Sequence, residues 1–410
     1  MLAEYTLQLL SGVFVGIYVA RYLGPENFGL ISYGIALVSI FMTISRLGME
    51  SILVRELSRN QENRKKYIST AFWLMGLASL FVYTIFCIMI YSIEANQEII
   101  NIITFMAFGI LAQSFMVTDY NFQSQIKAKY SSIAKISAVG VSTLIKIYLV
   151  WYEAELVYFA ISYAIDFFLI SIFLILMHLK KKQVNFIEGF DSKLIVPLLK
   201  SSWPMVISAL TAMLYMRSDQ IMIKKMMSTQ DLGLYSVATR IYEAWIVIPV
   251  IISLSLMPSM VGSKKISNKE FEKGLKKTIA ILFWMSLIFS IISYIYGEYI
   301  IVFLYGPDYE ASINVFKIIV WGSMFAAIGS VSARYLTIEG MERKIAYRTL
   351  IGLLINIILN GILIPRYGIE GSAVATVVTM LIINYSINYI DKDLKILKEI
   401  CNKAIFLKFN

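Results

Sequence analysis

Eleven ionisable side chains fall inside or at the edge of long apolar runs, where charge is least expected. Seven are basic (Arg46, Lys135, Lys146, Arg217, Arg240, Lys317 and Arg334) and four are acidic (Asp119, Asp166, Asp219 and Glu243). A charge at the centre of a bilayer costs about 2.5–3.5 kcal/mol even on the lower scale, so such groups persist by pairing or by facing a wet cavity. Seven against four leaves a net +3, which pairing within the set cannot consume. The chemistry that suits this surplus is the holding of an anionic group, Arg through its forked donors and Lys as a point charge. Lys135 and Lys146 are eleven residues apart, within about 20° on one helix face, and are expected to line the interior as two unpaired lysines. Asp166, midway along its run with no neighbouring base, is expected to be protonated, paired across helices or bound to a coupling ion. Arg46 with Glu50 and Arg240 with Glu243 have the spacing of local ion pairs. Arg217 and Asp219 point about 200° apart on a helix, so each needs a partner elsewhere. The short connection after them brings Arg240 within reach of Asp219. Asn356 with Asn360, and Asn384 with Asn388, stack at i,i+4 and read as interhelical hydrogen-bonding groups.

No constellation for covalent chemistry accompanies these charges. The chain has one histidine, His178, and two cysteines, Cys87 and Cys401. It shows no metal cluster, nucleophile elbow or P-loop, and ATP hydrolysis has nowhere to happen. Asp391-Lys392-Asp393 has the acid-x-acid form of a nucleotide-sugar transferase but stands alone, with no room for a sugar-nucleotide domain. The protein is therefore expected not to be an enzyme, and to use no cofactor beyond a coupling ion, Na+ or H+.

Hydrophobic residues make up 58% of the chain, charged residues 16%, and the mean hydropathy is +0.71. A soluble chain would carry roughly 25% charged residues. Twelve apolar runs can each span a bilayer, which takes about 20 residues. They lie near 2–20, 28–48, 67–92, 97–118, 131–151, 156–178, 198–223, 233–257, 278–297, 312–335, 346–364 and 370–390. Runs of this length without strand-like alternation mean helices. Segments after the even-numbered runs hold 26 Lys and Arg, and those after the odd-numbered runs only Arg21, Lys224, Lys225 and Arg366. By the positive-inside rule the 26-residue side is cytoplasmic, and an even count puts both termini there. The net charge of +10 thus reports topology and calls for no nucleic-acid partner. No cleavable signal peptide is visible at the start, and the first run begins late, so its opening turns are expected to be missing.

The chain repeats itself. Arg21-Tyr22-Leu23-Gly24-Pro25-Glu26-Asn27-Phe28-Gly29-Leu30 returns at an offset of 204, with Lys225 for Arg21, Asp231 for Asn27, and Gly233-Leu234 for Gly29-Leu30. Tyr152-Glu153-Ala154-Glu155 similarly matches Tyr367-Gly368-Ile369-Glu370 at an offset of 215. The expected organisation is two six-helix lobes, 1–178 and 198–390, related by a pseudo-twofold along the membrane normal. A cytoplasmic linker at 179–197 and a cytoplasmic tail at 391–410 complete it. Phe186, Phe190, Leu194 and Ile195 suggest a short interfacial helix in the linker.

Ala20-Arg21-Tyr22-Leu23-Gly24-Pro25-Glu26-Asn27-Phe28-Gly29 resembles the first outer turn of Wzx-type flippases, in the multidrug/oligosaccharidyl-lipid/polysaccharide exporter superfamily. The stretch from Gly340 through Asn356, Asn360, Pro365, Gly368 and Gly371-Ser372-Ala373 is similar to a pattern common there. The resemblance implies an alternating-access carrier in the cell membrane that moves a polyprenyl-diphosphate-linked oligosaccharide from the cytoplasmic to the outer leaflet. Glycosyltransferases and a polymerase of the same pathway are then the expected protein partners. On this reading Arg217, Arg240, Arg46, Lys135, Lys146 and Arg334 bind the diphosphate or sugar, while Asp219, Asp166 and Glu243 couple or orient. An ion-coupled drug or metabolite exporter is the first alternative, though a cation exporter should prefer an acidic interior. A polysaccharide polymerase or ligase is the second, but the outer segments here are short and hold no histidine.

Overall fold

The computed structural model describes residues 2–407, apart from the side chains of residues 2–11 and of Val13. What precedes Leu2, on which the expectation of missing opening turns depends, lies outside the described residues, as does Lys408 of the tail. Among the described residues there is no strand. Nine helices among the described residues are long and apolar enough to cross a membrane, or ten with the bent pair 312–338 taken as one span. Two of these stretches, at 14–59 and 342–390, are each long enough for two crossings. Their backbones reverse at Gly24 (φ 72°, ψ 171°) and Gly368 (φ 59°, ψ −142°), conformations far from helical and open to glycine. Divided there, the spans number twelve.

The chain separates into two compact units, one of residues up to Leu23 with Leu30–Arg217, the other of Gly24–Gly29 with the chain from Ser218 on. The first unit is built from α1 (Leu2–Ser45, broken at Gly24), α2 (Met49–Arg59), α3 (Arg64–Ile93) and α4 (Gln97–Ala107). A 3-10 stretch at Phe108–Met116 continues α4 into α5 (Val117–Ser124), so one crossing is helical throughout but changes pitch midway. α6 (Ala128–Trp151), α7 (Leu156–Lys180) and most of α8 (Ile195–Met226) follow. Asn96 starts α4 by accepting from the amides of Glu98 and Ile99, the usual work of an N-cap side chain. α2 is not one of the twelve runs. It is a short amphipathic helix, its apolar face of Met49, Leu53 and Leu57 packed with Ile68, Met75 and Tyr120.

The linker does not form the interfacial helix. Residues 183–191 are irregular and strapped to α3: Ser69 Oγ and Trp73 Nε1 donate to the Ile187 carbonyl, and Asp191 N donates to Thr70 Oγ1. Phe186 turns inward to the Met49–Tyr120 cluster, so the apolar side chain is spent on the protein core and not on lipid.

The second unit holds α9 (Thr229–Ile266), α10 (Asn268–Tyr305), α11 (Ser312–Ile319), α12 (Gly322–Ile338), α13 (Glu342–Leu381, broken at Gly368), α14 (Ile387–Ile390) and α15 (Lys395–Ile405). Capping sets several boundaries. Ser228 accepts from Asp231 N to open α9, and Ser267 accepts from Glu270 N to open α10. Gly306 (φ 95°) and Pro307 then end α10. The crossing of α10 with α12 is stitched by serines, Ser290 Oγ donating to the Val320 carbonyl at 2.7 Å and Ser323 Oγ to the Ser286 carbonyl at 3.2 Å. Such hydroxyls are suited to helix association in lipid, where water offers no competing bond. α15 is amphipathic, its Leu397, Ile400, Cys401 and Ala404 packed against Leu275, Ile279 and Leu336. Burial pushes the Cys401 thiol up to about 12, so this cysteine is an inert core residue.

The opening repeat has a physical purpose within this unit. Gly29 and Gly233, equivalent by the offset of 204, lie against the opposite copy's backbone. A Cβ on Gly29 would sit 1.9 Å from the Thr229 carbonyl oxygen, and one on Gly233 would sit 1.8 Å from that of Pro25. Small residues at such a crossing let two helices meet backbone to backbone.

Candidate polar sites in the two units

α5 and α6 bring the first charged group together. Lys135 Nζ is 2.8 Å from Asp119 Oδ2, and Ser131, one turn before Lys135, also donates to Asp119. Asp119 is 2% exposed, so two donors in place of water are what keep its charge tolerable. Beside it lies a cavity of about 230 Å3, lined by Arg46, Glu50, Gln113, Asp119, Tyr120 and Lys135. The expected Arg46–Glu50 pair within one helix does not form. α1 ends at Ser45, Leu47 and Gly48 adopt positive φ, and α2 carries Glu50 away from the i,i+4 geometry. Arg46 gives its Nε–H to Gln113 Oε1 at 2.8 Å. The cavity wall therefore offers two cations, two carboxylates and an amide, a set able to hold a small polyhydroxylated or zwitterionic group by hydrogen bonds.

Further along α6, Lys146 Nζ lies 2.5 Å from Asp166 Oδ2 of α7. Ser142 donates to the other carboxylate oxygen and accepts from Lys146 at 3.1 Å, while the ammonium sits 4.5 Å from the Tyr163 ring centroid. This corrects the reading of Lys135 and Lys146 as unpaired, and of the three expectations for Asp166 it is the pairing across helices that the structure shows. Both lysines do share one face of α6, but each meets a carboxylate from an adjacent helix. Ser142 is almost fully buried, which fits a member of the ion-pair cluster.

In the second unit the buried carboxylate is Asp219, which is 8% exposed. Tyr235 Oη donates to Asp219 Oδ2 at 2.5 Å and lies 3.5 Å from Thr376 Oγ1. Ser218 Oγ donates to Asn356 Oδ1 at 3.1 Å, crossing from α8 to α13, so this asparagine pair does bridge helices. Asn360 Nδ2 also donates to Asn356 Oδ1, while Asn360 Oδ1, fully buried, meets no hydrogen-bond donor among the described residues. Asn388 of the other pair accepts from Arg348 Nη2 at 2.5 Å. Asp219 with the Tyr235 and Thr376 hydroxyls offers hard oxygen donors of the kind that suit an alkali or other hard cation. No cluster of three His, Cys, Asp or Glu occurs among the described residues.

The remaining sequence candidates are placed as follows. Arg240, on α9, stacks over Phe28 with Cζ 4.8 Å from the ring centroid, and its charge is felt by Tyr305 and Tyr309. Glu243 follows one turn later, half-buried. Arg217 lies on α8, half-buried, two residues before Asp219. Arg334 of α12 has a buried Nε that meets no acceptor among the described residues. Lys317 reaches the Tyr294 ring at 6.0 Å. Sequence reading missed Gln113, Tyr235, Ser218 and Thr376, because a search for ionisable groups passes over amides and hydroxyls. Their signal was present only as polar residues within apolar runs.

A profile of polysaccharide biosynthesis proteins matches residues 1–264. The chain belongs to the polysaccharide biosynthesis protein family. The match takes in the opening repeat, the 230 Å3 cavity and the helices bearing Arg217, Asp219 and Arg240. A second profile, MatE, matches residues 204–362. Among relatives of this family member, a protein of Shigella flexneri described as an O-antigen transporter is 22% identical and covers 87% of this chain and 88% of its own. A protein of Haloferax volcanii described as a flippase is also 22% identical, over 91% of this chain and 78% of its own. The solved lipid II flippase MurJ has the same fold, with a TM-score of 0.76 at 16% identity, covering 99% of this chain and 91% of that one. The resemblance seen in the opening turn is thus a property of the whole chain. The family member is a multi-span membrane protein of all-helical fold.

Proposed function

We propose that this protein is an alternating-access flippase that carries a polyprenyl-diphosphate-linked oligosaccharide from the cytoplasmic to the outer leaflet of the cell membrane. The observation that carries the reading is the family match over residues 1–264, with near full-length relatives described as an O-antigen transporter and a flippase. The charges inside the spans support it. Once Lys135 and Lys146 are set against Asp119 and Asp166, five basic residues still stand against Asp219 and Glu243. A diphosphate complements that surplus. The MatE match over 204–362 and the equal fold likeness to a solved multidrug MATE transporter (TM-score 0.76 at 14% identity) favour a small-molecule exporter, and a basic interior argues against a cationic cargo.

In this mechanism Arg217 and Arg240 contact the diphosphate, with Arg46 and Arg334 contributing positive charge along the path. The charge-balanced cavity of the first unit takes a sugar. Asp219, with the hydroxyls beside it, seats the coupling cation, Na+ or H+. A charge-assisted contact to phosphate contributes roughly 1.5–3 kcal/mol, so Arg217→Ala is expected to lower glycan export at least tenfold at unchanged membrane abundance. Arg217→Lys should recover part of the loss, because charge returns without the fork. Normal surface glycan in the Arg217→Ala, Arg240→Ala double variant would remove both residues from the path.

The proposed orientation rests on the 26 to 4 division of basic residues. Reporter fusions after Lys66, Lys182 and Lys277 are expected to be active only in the cytoplasm, and fusions after Glu94, Glu153 and Glu298 only outside. Any exchange between the two groups defeats the proposed topology.

A further inference from the structure

Between α10 and the residues that follow α15 runs a groove of about 520 Å3, lined by Lys273, Lys277, Ala280, Ile281, Trp284 and Leu407. Its walls are apolar except at one end, where Lys273 and Lys277 stand one helical turn apart, both exposed. Neither forms an ion pair among the described residues. Beyond the groove the same face of α10 continues as an exposed apolar stripe through Ile288, Ile292 and Ile295, at the spacing of one side of a helix. A groove with two cations at its mouth and a long apolar track leading away matches one kind of molecule: an anionic headgroup carrying acyl chains.

We infer that this groove is a binding site for an anionic phospholipid, with its phosphate at Lys273 and Lys277 and an acyl chain along Ile281 and Trp284. Lysine stems can lie along apolar surface while their ammonium groups reach the headgroup layer. Trp284 suits the boundary, its ring apolar and its N–H polar. The opposite wall is Leu407, two residues past the end of α15, whose own apolar face is packed into the core of the second unit. The site is independent of the transported substrate and of the proposed flippase activity. It requires only that this end of α10 meets a leaflet surface.

The test uses the full-length protein in vesicles containing bromine-labelled phosphatidylglycerol or bromine-labelled phosphatidylcholine. The fluorescence of Trp284 is isolated as the difference between the wild type and Trp284→Phe. The anionic lipid is expected to quench that difference signal with a preference on the order of tenfold over the zwitterionic one, each lysine near the surface adding about fivefold. The Lys273→Gln, Lys277→Gln variant should lose the preference, while Lys265→Gln, Lys269→Gln, on the same side of the membrane, should keep it. Equal quenching by the two lipids, or a preference unchanged in Lys273→Gln, Lys277→Gln, overturns the inference. So does shielding of Trp284 from both lipids, which would mean that a protein surface covers the groove.

Discussion

Replacing Gly233 with alanine is expected to abolish most of the folded protein, although only a methyl group is added. That methyl would lie 1.8 Å from the carbonyl oxygen of Pro25, and the atom it meets is backbone, not the yielding end of a side chain. Overpacking a core typically costs about 1–3 kcal/mol when side chains can move aside. Here a helix must move, so the cost should reach or exceed the top of that range. Gly29→Ala should behave alike, since its Cβ would lie 1.9 Å from the Thr229 carbonyl oxygen. Gly274→Ala is the control. A Cβ there meets nothing within 4 Å, and alanine is better than glycine in a helix interior by about 1 kcal/mol. Thermal midpoints in detergent, read by size-exclusion chromatography after heating, should fall sharply for the first two variants and hold or rise for the third. An unshifted midpoint for Gly233→Ala would show that the two helices do not meet at this distance.

The second large effect concerns the pair of α6 and α7. Asp166→Ala leaves Lys146, which is 7% exposed, without its carboxylate. Breaking a buried pair by removing one partner costs about 3–5 kcal/mol, whereas replacing both with apolar residues of similar volume is often neutral or better. The single variant should therefore be poorly abundant, and Lys146→Met with Asp166→Leu should restore abundance. Glycan export by the restored double variant separates the two roles of the pair. Export at the wild-type level makes the pair structural. Stable protein with export lost places Asp166 or Lys146 in the transport cycle. A stable, abundant Asp166→Ala protein would show that Lys146 does not depend on Asp166 at all.

The sequence alone made the twelve spans and the repeat legible, for physical reasons. Span length is set by the bilayer and side preference by basic residues. The repeat shows because Gly29 and Gly233 meet backbone, where no other residue type fits. The partners of the charges were not legible. Asp119 and Asp166 find Lys135 and Lys146 on neighbouring helices, and helix rotation in a bundle is fixed by packing that a one-dimensional pattern does not hold. Arg46 illustrates the same limit at short range. Its i,i+4 spacing to Glu50 is correct in the sequence and irrelevant in the fold, because Leu47 and Gly48 break the helix between them. The irregular linker was missed since its apolar residues suit a membrane surface as well as the core that Phe186 enters.

Glu153 and Gly368 are a matched pair across the offset of 215, and both hold positive φ, 53° and 59°. The two equivalent positions thus share a positive φ although one is glutamate and the other glycine. An ordinary residue in the left-handed region loses roughly 1–2 kcal/mol that glycine does not. At this turn the later half carries the relaxed version and the earlier half the strained one. The opening turn does not repeat this agreement: Gly24 holds φ 72° where its equivalent Ser228 holds φ −135°, so the halves share the fold of one hairpin turn and solve the other differently.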